Sequence, residues 1–118
     1  MNPEDVKVIE GYWKNHELLK RERNLLEKVY AADELNADIR YPKLVAILDA
    51  IEKVYGELNE LFQRFIQVRY WEELSPTYEY SEVADILEVS VAKTYKIRTF
   101  VMTKTAKELG YITEPIKI

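Results

Sequence analysis

A chain of 118 residues supports one hydrophobic core and not two independent ones. With 47% hydrophobic and 32% charged residues, few glycines and prolines, and no cysteine, it is neither compositionally disordered nor built on disulfides, thiolate metal sites or a cysteine nucleophile. The formal net charge of −4 excludes a protein that coats nucleic acid through bulk charge.

The residues at the start, Asn2-Pro3-Glu4-Asp5, supply an N-cap, a proline suited to the first helical position, and acids that complement the positive end of a helix. They lack the basic and then apolar order of a signal peptide, and no apolar run reaches bilayer-spanning length, so a cytoplasmic protein without membrane contact is expected. A bend or break is expected at Gly11. After it, Leu18, Leu19, Leu25, Leu26, Val29 and Tyr30 recur at helical spacing and mark an amphipathic helix to about residue 32. Residues 33–41 read as a connection, because a proline, here Pro42, pushes the residue before it out of the helical region.

Leu44, Ile47, Leu48, Ile51, Val54 and Tyr55 then predict a second helix that weakens near Gly56. A third, dense in aromatics, runs from Leu58 to about Glu72, and Ser75-Pro76-Thr77 breaks the pattern. A short helix over 80–87 and a longer one over 91–109 follow, the latter closed by Gly110 as a left-handed cap. No segment alternates as a strand would, so the fold class is all-α. The expected organisation is an N-terminal helical extension over 1–41 and a helix-turn-helix domain over 42–118.

Charge is distributed unevenly along this frame. Net charge is −2 over 1–42, −3 over 43–79 and +1 over 80–118. Between Glu88 and Glu108 stand Lys93, Lys96, Arg98, Lys104 and Lys107 with no acid among them. Ala84 is small enough to let two helices cross closely, and Val83, Leu87, Val89, Thr94 and Ile97 fall where such a pair buries its side chains. Ser90 stands at the N-cap of the second helix. At about 100° per residue, the side of that helix opposite Ile97 and Val101 presents Ala92, Tyr95, Lys96, Thr99 and Thr103, with Lys93 and Arg98 at its margins. Small side chains allow close approach to a major groove, and lysine or arginine reaches guanine edges or phosphates.

Residues 58–109 resemble region four of the sigma-factor family. Arg64-Phe65-Ile66-Gln67-Val68-Arg69-Tyr70-Trp71-Glu72-Glu73 is similar to one of its helices, and Tyr80-Ser81-Glu82-Val83-Ala84-Asp85-Ile86-Leu87-Glu88-Val89-Ser90 to its first helix-turn-helix arm. With the helical extension before it, the chain is similar to the small phage-encoded late transcription regulators of the RinA and ArpU type. The resemblance implies a C-terminal four-helix sigma-region-four-like module that binds duplex DNA through Ser90, Ala92, Lys93, Tyr95, Lys96 and Arg98, to which the helix phase adds Thr99. Two positions depart from the family pattern. Glu88 stands where the turn glycine belongs, and Lys93 where the family carries threonine, so base preference does not transfer.

Other groups point to plainer roles. His16 is the single histidine, without a second ligand for a metal, and reads as a surface or interface residue. Asp49 with Glu52, and Glu57 with Glu60, share helix faces but read as solvated carboxylates. No Gly-x-Ser-x-Gly or phosphate loop occurs. Neither an enzyme nor a cofactor or metal site is expected. Phe62, Phe65, Tyr70, Trp71, Tyr78 and Tyr80 read as core packing rather than a base-stacking platform. Tyr12, Trp13, Leu18, Leu19, Leu25 and Leu26 are more apolar than a lone helix can leave in water, so the N-terminal helix either folds back or, the favoured reading, pairs with a second copy. The expected partners are therefore double-stranded DNA, a second copy of the chain and RNA polymerase. The alternatives are a polymerase adaptor that does not read DNA and a small DNA-packaging subunit.

Overall fold

The computed structural model describes residues 2–72 and 78–111, and the break expected at Ser75-Pro76-Thr77 lies outside them. These residues form seven α-helices and a π-helical turn, with no strand: α1 (Pro3–Lys14), α2 (His16–Val29), α3 (Ala32–Ala37), α4 (Arg40–Glu57), α5 (Glu60–Ile66) running into the π turn (Gln67–Trp71), α6 (Tyr80–Leu87) and α7 (Val91–Glu108). The all-α class is as expected. No helix among the described residues is long and apolar enough to cross a membrane.

α1 begins as its sequence dictates, with the Asp5 amide donating to Asn2 Oδ1 at 2.8 Å and Pro3 in the first turn. The break comes at Asn15 rather than Gly11, which stays helical. The cause is tertiary: the Trp13 carbonyl accepts a hydrogen bond from Trp71 Nε1 at 2.9 Å, and a donor entering the helical ladder bends it at that turn. Asn15, at φ −97° and ψ 18°, suits such a joint.

The connection expected over 33–41 is instead the short helix α3, which buries Leu35, and α4 starts two residues before Pro42. Asp38 Oδ1 accepts from the Arg40 amide at 2.8 Å and opens that helix. Pro42 then falls within the first turn, where a helix leaves amides unpaired and a missing N–H costs nothing.

One core unites α1, α4, α5, the π turn, α6 and α7. Ile9 and Trp13 of α1 pack with Ile47, Ile51 and Val54 of α4, Phe65 and Ile66 of α5, Val83 of α6 and Ile97, Val101 and Met102 of α7. Trp13 Nε1 donates to Thr105 Oγ1 at 3.0 Å, and that hydroxyl donates to the Val101 carbonyl at 2.7 Å. The boundary expected at residue 41 therefore does not separate two cores, because α1 folds back onto α7. α2 is different: its Leu19 side packs inward, while Leu18, Leu25 and Val29 remain 61%, 62% and 63% exposed.

Candidate nucleic-acid interface

α6 and α7 are set against each other by local signals at every end. Glu79 and Glu82 form a reciprocal capping box that starts α6. At its other end the Val89 amide donates to the Ala84 carbonyl at 3.0 Å and the Glu88 amide to the Asp85 carbonyl at 3.2 Å, the paired bonds of a Schellman stop. This motif needs a left-handed residue, and Glu88 takes that conformation at φ 58° and ψ 42°. The turn thus forms in the glycine-type geometry without the glycine. Ser90 Oγ then accepts from the Lys93 amide at 3.1 Å and opens α7. A second Schellman stop closes α7, with Tyr111 donating to the Ala106 carbonyl at 2.8 Å and Gly110 at φ 83°.

The buried face of α7 carries Thr94, Ile97, Val101, Met102, Thr105 and Ala106. Opposite it, Ala92, Tyr95, Lys96 and Thr99 are exposed, as are Ser90 and Lys93 at the start of the helix. The structure thus brings six of the seven expected contact residues to one surface.

Arg98 is the exception. Its guanidinium is half-buried and pairs with Glu10 of α1, Nη2 to Oε1 at 2.5 Å. Tyr70 Oη donates to the other oxygen of the same carboxylate at 2.7 Å. Burial alone would raise the Glu10 carboxyl. The hydrogen bonds from Arg98 and Tyr70, with the charges of Arg98 and Arg69, outweigh it and hold the group below the usual carboxylate range. The same bond to Glu10 keeps Arg98 protonated more firmly than an ordinary arginine. Lys104 is likewise committed, to Glu57 at 2.7 Å. Of the five clustered basic residues, Lys93, Lys96 and Lys107 are the ones with no ion-pair partner among the described residues. Lys93 Nζ lies 5.8 Å from the centre of the Phe62 ring.

Three residues beside this surface were not singled out from the sequence as part of it: Glu10, Arg69 and Tyr80. Tyr80 stacks on Tyr95, and the Arg69 guanidinium lies 4.8 Å from the Tyr80 ring centre. Only the exposed aromatic Tyr95, one α7 turn from Ala92, hinted at a ring partner.

His16 corrects a plainer expectation. It is buried and stacks on Trp71 with ring centroids 5.1 Å apart, drawn inward by the π turn that places the indole at the α1–α2 joint. Burial, then the charge of Lys20, push the imidazole below its usual range. Asp49, Glu52 and Glu60 are exposed, and among the described residues no three metal-ligating side chains stand together. Phe62, Tyr70, Trp71, Tyr78 and Tyr80 pack against the core around buried Phe65.

No protein-family model, curated protein or solved structure matches the chain.

Proposed function

We propose that this chain is a non-enzymatic transcriptional regulator that binds double-stranded DNA by laying α7 in the major groove. The observation that carries the reading is the single surface formed by Ser90, Ala92, Lys93, Tyr95, Lys96 and Thr99, in which short side chains permit close approach and lysines meet phosphates. The resemblance of residues 58–109 to sigma-factor region four adds the expectation of a phage or prophage late-gene activator. The exposed Leu18, Leu25 and Val29 suit contact with a second copy, which would place two such surfaces on two half-sites.

Fluorescence anisotropy on duplex DNA across a salt series tests this. Three uncommitted lysines predict that log affinity falls with log salt at a slope of roughly −2 to −3. Lys93→Ala/Lys96→Ala/Lys107→Ala flattens that slope. Absence of binding by both proteins sinks the reading. The net charge of −4 then favours a polymerase adaptor that leaves DNA unread, checked by co-purification with RNA polymerase.

A further inference from the structure

Within the α7 surface, one side chain is held from outside its own helix. Tyr95 is 47% exposed, yet its ring stacks on that of Tyr80, with centroids 4.4 Å apart and planes 25° from parallel. Tyr80 is the first residue of α6, so the pair spans the two helices across the turn. The Arg69 guanidinium carbon, carried by the π turn, lies 4.8 Å from the Tyr80 ring centre. The same guanidinium lies 5.7 Å from the Tyr70 ring centre and hydrogen-bonds the Tyr80 side chain, so Tyr80 is held by this cation at its ring and at its hydroxyl.

We propose that Tyr80 and Arg69 are positioning residues for Tyr95, and that Tyr95, so held, is the specificity-determining side chain of the α7 surface. This rests on the DNA-binding reading given above. Lysines on flexible stems serve phosphates as readily as guanine edges, the Ala92 side chain has no polar atom, and among the exposed residues of this surface Tyr95 is the one whose ring is held by a second helix. Tyrosine offers both a hydroxyl that donates and accepts and an apolar ring edge that a thymine methyl can meet. A free surface tyrosine would lose rotamer freedom on docking. One already stacked has surrendered that freedom in the folded protein, so more of each base contact appears as discrimination.

The test is selection of the full chain against a library of random-sequence duplexes, with anisotropy on the recovered and scrambled duplexes. The wild-type chain is expected to enrich a motif. Tyr80→Ala is expected to lose preference at one or two base pairs of it, about five- to hundredfold at each, while affinity for scrambled duplex and the salt slope stay as they were. Tyr80→Phe, which keeps the ring, retains the full motif. Tyr95→Leu changes an exposed side chain, provides a second route should Tyr80→Ala fold poorly, and loses the same base pairs.

Retention of the full motif by Tyr80→Ala or Tyr95→Leu overturns the proposal. So does an equal loss on every sequence, because that is the signature of structural damage alone. Duplex binding by wild type without any enriched motif overturns it while leaving DNA binding intact. Absence of duplex binding removes the regulator reading itself.

Discussion

At the scale of single residues, Glu88 carries the clearest cost. A side chain with a Cβ pays about 1–2 kcal/mol to enter the left-handed region, and Glu88 does so at φ 58°. Glu88→Gly is expected to raise stability by about 1 kcal/mol, read as a higher urea midpoint at constant slope. Gly110→Ala, at φ 83° with open space around its Cβ position, is expected to lower it by a similar amount through backbone strain alone. Glu10 gives a second prediction. Glu10→Gln removes the negative charge that holds Arg98 and is expected to cost about 1–3 kcal/mol, measured by chemical denaturation. It also releases a cation beside the α7 surface, so the salt dependence of the proposed DNA binding is expected to steepen by about one phosphate. In the wild-type chain, the stability supplied by this pair is present above the ordinary carboxylate pKa of about 4.3 and fades as pH falls through the lower folded value. The phase of α7 was enough to place Ala92, Tyr95, Lys96 and Thr99 outward. It could not show that Arg98, at the margin of the same face, meets an acid 88 positions away.

At the scale of elements, ends fixed by local chemistry were legible and ends fixed by distant packing were not. Ser90 and Gly110 mark α7 within its own sequence, and both serve as read. α3 escapes the sequence reading because Pro42 is allowed to decide the whole stretch before it, although Ala32, Glu34, Leu35 and Ala37 are good helix formers and Leu35 is buried in the fold. The joint at Asn15 was missed because its cause, Trp71, lies in a π turn that nothing in the periodicity of residues 58–72 announces. That joint has a pH signature. His16 is the chain's single histidine, and its folded pKa is depressed, so the unfolded chain takes up a proton first. Stability is therefore complete above the unfolded value of about 6.5 and declines as pH falls from there toward the folded value. Thermal unfolding between pH 7.5 and 5.5 is expected to show this decline, and His16→Phe to flatten it while keeping a ring against Trp71.

At the scale of the whole molecule, α1 and α2 divide the work that the sequence assigned to one N-terminal helix. α1 is consumed by the core through Ile9 and Trp13, while the stripe of Leu18, Leu25 and Val29 on α2 stays exposed and is the face proposed above to meet a second copy. Leu18→Gln/Leu25→Gln is expected to reduce the oligomeric mass measured by light scattering, with little loss of monomer stability because those side chains are already mostly in water. An unchanged mass would remove the second copy from that face.

The bond between Trp13 and Thr105 spans 92 positions, and this separation orders events during synthesis. The indole leaves the ribosome long before the hydroxyl that receives it, by roughly 5–20 s at ordinary elongation rates. Through that interval α1 has no α7 to lie against. Trp13 meets α4 and Trp71 first, and its burial is completed only when the helix proposed to meet DNA has itself been made, so that the closed core and the exposed face of α7 come into being together.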